Sequence, residues 1–314
     1  ETAIPHNQWW EQTRFCHALE QEAAIFSRQG TRTIKTFFID PRKQISTDQA
    51  ERLEEHVRAR RLAGLIIVNP YSPVSHDLIR SQLLPCVIFS NTDDIKGVTR
   101  IRLDPRRFID RALDAMKARG RRRIALIASA TTSDKTLEYM SSQAAVRGLE
   151  TSPAWQQGAF VEQNRWVRHI ICAVMARDPA RRPDGIIVTD EHLVEPVIAG
   201  LLYDRLRVPE DVEIVGHCSF HGMTQNMAPV HRLGYVVGDL LKLAVDLIER
   251  RHRGEALSDP MAIKPLFADE LPHFSDGQND LQTMDDSIVD QTLNLPQKGE
   301  TGDKTRVFNP VRKS

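Results

Sequence analysis

A short segment around residue 217 carries the side chains that most readily suggest chemistry. His217, Cys218 and His221 give a Cys-x-x-His spacing, and His231 lies a little further along the chain. A structural zinc site normally has four thiolate or imidazole ligands, and no second cysteine pair accompanies these residues. We therefore expect no metal ion here, and we interpret the segment as a loop at the mouth of a cleft.

The sequence also lacks the patterns of a catalytic site. There is no Gly-x-Ser-x-Gly elbow, no glycine-rich phosphate loop and no metal-binding histidine pair. The polar run from Ser129 to Ser133 follows an apolar segment but contains no glycine. We expect this run to line a ligand cleft, and we expect neither enzymatic activity nor a cofactor.

Asp190 is a stronger candidate for a binding role. It follows the apolar run Gly185 to Val188, which has to be covered on both faces and is therefore typical of a strand in a parallel sheet. Ligands of open α/β sheets bind at the carboxyl ends of the strands. An aspartate in this position also caps the helix that follows, so the sequence leaves both roles open.

Aromatic side chains offer a second kind of contact. Trp9, Trp10 and Trp166 could form walls for a ring-shaped ligand or fill an interface between lobes, and the sequence does not choose between these roles. The basic run from Lys117 to Arg123 has two interpretations as well. It is either a contact for nucleic acid or a set of cations favoured by the dipole at the end of a helix.

The elements that must position these residues repeat one βαβ pattern. The first series of predicted strands is followed by a second, and the two predict an α/β fold of two doubly wound parallel-sheet lobes. The predicted strands are 3–5, 34–39, 64–68, 85–89 and 98–103, with the last suited to a sheet edge, and then 123–127, 155–160, 185–188, 213–216 and 261–267. The predicted helices are 15–26, 49–61, 78–83, 104–116, 139–149, 165–176, 193–206 and 235–250.

Composition limits the partners. The chain has 314 residues, of which 41% are hydrophobic, and Lys plus Arg equal Asp plus Glu at 42 each, so net charge gives no attraction to DNA or to an anionic membrane. Four cysteines without paired spacing suit a reducing, cytoplasmic compartment. No apolar run is long enough to span a bilayer. Residues 272–314 lose all periodicity, and we expect a disordered tail with at most a short helix near 281–293.

Several longer motifs combine into one resemblance. They are Arg61-Leu-Ala-Gly-Leu-Ile-Ile-Val68, Leu84-Pro-Cys-Val-Ile-Phe89, Arg102-Leu-Asp104 before a long helix, Gly120-Arg-Arg-Arg-Ile-Ala-Leu-Ile127 and Leu206-Arg-Val-Pro-Glu-Asp-Val-Glu-Ile-Val-Gly216. Over residues 3–271 the chain resembles the periplasmic-binding-protein-like sensor region of LacI/GalR bacterial transcription regulators. The Val-Pro-Glu-Asp-Val turn is its most specific element.

The resemblance implies two lobes joined by three crossovers, near 103–105, 229–233 and 257–261. The first lobe would comprise 1–104 and 230–257, and the second 105–229 and 258–271. It also implies a small carbohydrate-like effector between the lobes and a homodimer built on helices 49–61 and 78–83. DNA would be bound by a helix-turn-helix domain absent from this chain.

The resemblance assigns further site residues by position. It matches His6 and Asn7 to the end of the first strand, Ser90 and Asn91 to the end of the fourth, and Trp166 to an aromatic that stacks on a sugar face. Ser141 stands where an arginine is usual, Thr189 where an asparagine is frequent, and Cys218 where an aspartate is frequent. With Trp9, Ser129 and Asp190, these residues form the predicted ligand site.

Two functions from different classes fit this pattern. The first is the effector-binding and dimerisation region of a transcription regulator, allosterically coupled to DNA binding. The alternative is a secreted solute-binding protein that delivers a sugar-like ligand to a transporter. Because the chain starts at Glu1 rather than at Met, we expect that either a DNA-binding domain or a cleaved signal peptide precedes it.

Overall fold

The structure, a computed structural model, describes residues 13–30, 32–37, 48–68, 73–81, 83–90, 95, 98–160, 165–176, 178–221, 226–257 and 260–271. Outside these ranges lie the predicted strand 3–5 and tail 272–314, together with the site candidates His6, Asn7, Trp9 and Asn91.

The helices and strands alternate along the chain, as expected. Helices run over Thr13–Gln29 (α1), Asp48–Arg58 (α2), Pro73–Ser81 (α3), Pro105–Ala118 (α4), Asp134–Val146 (α5), Val167–Met175 (α6), Glu191–Tyr203 (α7) and Val237–His252 (α8). Strands run over Leu65–Ile67 (β1), Cys86–Phe89 (β2), Thr99–Leu103 (β3), Ile124–Ser129 (β4), Gln156–Ala159 (β5), Gly185–Val188 (β6), Glu213–Phe220 (β7), His231–Val236 (β8), Met261–Ile263 (β9) and Leu266–Phe267 (β10). Single 3₁₀ turns lie at Pro153–Trp155 and Ala268–Glu270.

The strands form two sheets. The first has the order β1-β2-β3-β9 and the second the order β10-β8-β7-β6-β4-β5. Every pairing is parallel except that of β10 with β8. The predicted fold class, α/β with parallel sheets, is confirmed.

Burial follows from the apolar runs. All residues of β2, β4 and β6 are buried, as strands covered on both faces must be. One face of the second sheet packs against α6 and α7 through residues such as Ile171 and Val197, and the other against α4 through residues such as Met116. The first sheet packs against α1 and α8. None of the described helices has the length and apolar character that a bilayer crossing requires.

Three strand predictions were wrong. Residues 34–37 form no strand, because the Ile34 amide donates to Ser27 Oγ at 2.9 Å instead of to a neighbouring strand. β3 is not a sheet edge, since β9 pairs with it through Ile101 and Met261. The same pairing places 261–263 in the first sheet rather than the second. β3 and β9 lie far apart in the sequence, so the alternating pattern within either segment does not reveal that they pair.

Two arginines hold the Val208 to Asp211 turn: Arg207, which pairs with Asp211 at 3.0 Å, and Arg121. The Arg121 guanidinium donates to the carbonyl of Pro209 at 2.6 Å and to that of Glu210 at 3.4 Å. Its Nε donates to the carboxylate of Glu213, the first residue of β7, at 2.8 Å. The motif is therefore a structural clamp that joins the turn before β7 to the turn before β4.

Two further arginines of the basic run are used in the same way. Arg119 Nε lies 3.1 Å from Glu213 Oε1, and Arg123 Nη2 lies 3.2 Å from Asp184 Oδ2. These arginines neutralise carboxylates at the amino-terminal ends of β6 and β7. The structure therefore favours the internal role of this run over contact with nucleic acid.

We predict that Glu213→Gln lowers the free energy of unfolding by about 3 kcal/mol, because two arginines at a largely buried position lose their counter-charge. Urea unfolding followed by circular dichroism measures the change. The matched control is Glu54→Gln, whose carboxylate pairs with Arg58 at 2.8 Å on the surface and should contribute less than about 1 kcal/mol. Equal losses for the two variants would contradict the clamp.

Candidate ligand-binding cleft

The pairing of three strands in the second sheet places three of the predicted site residues side by side. Ile127, Val188 and Gly216 are aligned by the pairing of β4, β6 and β7. Two residues further, at the carboxyl ends of these strands, stand Ser129, Asp190 and Cys218, all of them buried. The register therefore brings these three residues to the same edge of the sheet, as the sequence predicts.

Asp190 has a defined structural task at this edge. Its Oδ1 accepts a hydrogen bond from the His192 amide at 2.9 Å and caps α7. The same oxygen lies 2.9 Å from His192 Nδ1. The capping interpretation is thus observed directly, while a ligand contact by Asp190 stays a prediction.

The other described candidates are dispersed. Ser90 ends β2 in the first sheet, where its amide donates to the carbonyl of Ile101. The Ser141 hydroxyl donates to the Leu137 carbonyl within α5 and accepts from Gln156 Nε2 at 2.7 Å, so its hydrogen bonds are internal to the second lobe. Thr189 follows β6, and its amide donates to the Ile127 carbonyl.

A small cavity of about 220 Å³ lies between α1 and the end of β7. We call it the seam cavity, because its walls come from elements that pack on different sheets. It is lined by Arg14, His17, Ala18, Gln21, Glu191, Val194, His217, Cys218, Ser219, His221, Asn226, Val230 and Arg232. Of the predicted site residues that the structure describes, only Cys218 contributes to it.

Polar contacts fix the walls of the seam cavity. The Glu191 carboxylate accepts from the Ser219 amide at 2.9 Å and from the Ser219 hydroxyl at 3.1 Å. His221 Nδ1 lies 2.9 Å from Glu22 Oε1 of α1, and its other ring nitrogen contacts Gln21. The imidazole of His221 therefore links β7 to the helix that covers the first sheet.

A larger cavity of about 730 Å³ lies between the amino-terminal turns of α6 and α7. We call it the arginine cavity. It is lined by Arg14, Arg165, Trp166, Arg168, His169, His192, Glu195, Pro196, Ala199 and Met227. Among the predicted site residues within the described ranges, Trp166 alone lines it. Trp166 is 52% exposed and its ring centroid lies 5.4 Å from that of His169. Arg14 borders both cavities.

Most of the residues that line the two cavities were not predicted from the sequence. Glu191 and His192 directly follow Asp190, so their place in the first turn of α7 was a usable signal. Arg14 and Met227 lie far from any strand end and carry no such signal, because they reach the cavity only through the packing of α1 and of the segment before β8.

An aromatic cluster lies where the chain passes between the sheets. The His217 ring stands 5.6 Å from that of Phe108 and 6.0 Å from that of Tyr235, and the Tyr235 hydroxyl donates to the Asp104 carbonyl at 3.4 Å. Burial lowers the pKa of His217, which favours its neutral form. Burial also raises the pKa of the Cys218 thiol and keeps it protonated. Within the described ranges, no group of three or more His, Cys, Asp or Glu residues could hold a metal ion.

Comparison with protein families identifies the central part of the chain. A family described as "periplasmic binding protein-like domain" matches residues 113–257, from within α4 to just beyond α8. Over these residues, which are less than half of the chain, the protein is similar to that family. No curated protein matches the chain by sequence.

Solved structures extend the comparison to most of the chain. A regulatory protein of the LacI family from Chloroflexus aggregans is 17% identical, with 81% of this chain and 89% of that one covered and a TM-score of 0.63. A LacI family transcriptional regulator from Mycobacterium smegmatis is 18% identical, with coverage of 81% and 91% and a TM-score of 0.59. A LacI family transcriptional regulator from Lactobacillus casei, with bound sucrose, is 17% identical, with coverage of 81% and 93% and a TM-score of 0.58. The predicted resemblance is confirmed, and at these identities the shared property is the fold.

Asp190→Ala should lower the free energy of unfolding by about 1 kcal/mol, because α7 loses its side-chain cap. Asp190→Asn should retain most of the stability, since asparagine caps a helix equally well. Urea unfolding of both variants tests this expectation. An alanine variant as stable as the unmodified chain would exclude the capping role.

The buried thiols predict a dependence on pH. Burial raises the pKa of Cys16 and Cys86 to about 11 and that of Cys218 to about 12, from the usual 9.0. The folded state binds these protons more tightly than the unfolded state, so the stability is complete below pH 9.0 and falls as the pH rises toward 11.

Thiol reactivity measures the same shift. At pH 8 the native Cys16 and Cys86 should react with Ellman's reagent at least about a hundredfold more slowly than the same thiols in the urea-unfolded chain, because only the thiolate attacks. Single-cysteine variants that retain Cys16 or Cys86 separate the two rates. Equal rates in the folded and unfolded chains would contradict the burial of the thiols.

Proposed function

We propose that this chain is the effector-binding and dimerisation region of a LacI/GalR-type transcription regulator. The observation that carries the proposal is the joint placement of two cavities at the carboxyl edge of the second sheet, where α1 of the first sheet closes over α7 and β7. The shared fold with regulators of this family supports it. The compartment of such a regulator is the cytoplasm.

The proposed ligand site is the row of strand ends together with the two cavities. Cys218 and Trp166 line the cavities, and Ser129 and Asp190 lie in the same row of strand ends as Cys218. His6, Asn7, Trp9, Ser90, Asn91, Ser141 and Thr189 stay predictions for the same site. The bound sucrose of the Lactobacillus casei regulator supports a carbohydrate-like ligand.

Coupling would act through the connections between the sheets. The chain passes from β3 to α4 through Asp104, from β8 directly into α8, and from β9 to β10. The Tyr235 hydroxyl ties the second connection to the first. A ligand held between α1 and α7 favours one relative orientation of the two sheets only by binding that orientation more tightly, and a typical coupling is about 1–3 kcal/mol.

Polar contacts join α1 to β7 and to the start of α7. His221 and Glu22 join β7 to α1, and Arg14 Nη1 approaches the Glu191 carbonyl at 3.5 Å. A ligand in the seam cavity would contact both sides of this junction. In the intact regulator, a change in its geometry would alter the spacing of paired DNA-binding domains on two half-sites.

The sequence encoded immediately upstream of Glu1 tests the proposal against the solute-binding alternative. We expect a helix-turn-helix module of about 50 to 80 residues. A basic segment followed by an apolar core and a small-residue cleavage site would instead indicate a secreted binding protein and would overturn the proposal. Sedimentation velocity gives an independent readout, because a regulator should be a dimer and a transport receptor a monomer.

A further inference from the structure

We propose that the arginine cavity binds an anionic carbohydrate, meaning a polyhydroxylated ring that carries a phosphate or a carboxylate. This inference rests on the proposed function and names the chemical class of the ligand. Four features of the cavity support it: unpaired cations, an exposed aromatic face, buried polar atoms without partners, and a helix terminus without a side-chain cap.

The cations exceed the anions in this cavity. Arg14, Arg165 and Arg168 line it, against the single carboxylate of Glu195. Within the described ranges none of these three arginines forms an ion pair with an aspartate or glutamate, whereas Arg119, Arg121 and Arg123 do. An anionic ligand group would pair with guanidinium groups that have no counter-charge within the described part of the chain.

The aromatic face belongs to Trp166. Its indole is half exposed, and it is flanked by the Arg165 guanidinium at 5.9 Å and by the His169 ring. An exposed indole in a cavity offers a flat apolar surface, and a sugar ring has an apolar face of suitable size to stack on it. Trp166 would therefore hold the ring, with the anionic group directed toward the arginines beside it.

Two buried atoms require hydrogen-bond donors. His192 Nδ1 lies 2.9 Å from an Asp190 oxygen, so the neutral ring carries its proton on Nδ1 and presents Nε2 as an acceptor, which has no hydrogen-bond partner among the described residues. Glu195 Oε1 accepts from Asn226 Nδ2 at 2.6 Å, while Oε2 has no partner in that same part of the chain. Leaving such atoms unsatisfied is costly. Ligand hydroxyl groups are the donors that would satisfy both.

The first turn of α6 belongs to the part of the arginine cavity that would bind the anionic group. Trp166 is the N-cap residue and supplies no side-chain hydrogen bond to the helix. The amide groups of this turn lie beside Arg165 and Arg168, and a helix amino terminus favours negative charge. A neutral sugar would satisfy the acceptors but not the arginines, and inorganic phosphate would do the reverse. The combination selects a molecule that has both parts.

Isothermal titration calorimetry of the chain at low salt tests the inference with four probes: glucose 6-phosphate, glucuronate, glucose and inorganic phosphate. We expect at least one anionic sugar to bind about tenfold or more tightly than glucose and phosphate, since charge-assisted hydrogen bonds are the stronger ones. The better of the two anionic sugars identifies phosphate or carboxylate as the charged group. Raising the salt concentration should weaken that binding and leave glucose unaffected.

Variants locate the binding. Arg165→Gln combined with Arg168→Gln should remove the preference for the anionic sugar, and Trp166→Ala should weaken every sugar. The matched control is Arg58→Gln, which removes an exposed arginine of α2 and should change nothing. Circular dichroism and thermal melting check that each variant is folded.

The outcomes separate this inference from the proposed function. Glucose that binds as tightly as the anionic sugars, or a preference that survives the double arginine variant, would overturn the anionic ligand and leave a sugar-binding regulator. Phosphate alone that binds as tightly as the sugar phosphate would overturn the carbohydrate. If none of the four probes binds, the inference fails, and the upstream sequence still decides the proposed function.

Discussion

The pairing of β7 with β8 is the constraint on which the arrangement of the two sheets depends. It runs without interruption from Val215 opposite His231 to Phe220 opposite Val236. Gly234 permits it, because a Cβ atom there would collide with the backbone of Cys218. The ladder ends where α8 begins. β8, a strand of the second sheet, therefore directly positions α8, which packs on the first sheet. The seam cavity lies at the end of β7.

Charge is distributed unevenly over the two edges of the second sheet. At the amino-terminal edge, Glu213 and Asp184 are neutralised by Arg119, Arg121 and Arg123. At the carboxyl edge, within the described ranges, the arginines of the larger cavity have no acidic partner. An ion pair within a lobe stabilises the fold, whereas an unpaired cation beside a cavity is available to a ligand. The same residue type therefore serves stability at one edge and, in our proposal, recognition at the other.

Two kinds of contact lie between the sheets: a packed aromatic cluster and a set of polar side-chain contacts. Tyr235 and Phe108 enclose His217, and this packing holds two of the connections together. By contrast, α1 meets β7 through polar contacts of His221, Glu22 and Gln21, and polar contacts are exchanged for water more easily than a packed aromatic cluster is opened. A change of orientation would therefore pivot about the aromatic cluster and open at α1.

The sequence by itself determined the two-sheet α/β class, the order of most elements and the place of Ser129, Asp190 and Cys218 at strand ends, because apolar runs and capping residues are local signals. Only the tertiary structure decided that β9 joins the first sheet, that residues 34–37 form no strand, and that Ser141 is engaged within its own lobe. It also brought Arg14, Glu195 and Met227 to one cavity. These outcomes depend on partners distant in the chain, and no pattern within a single segment records which distant partner it will meet.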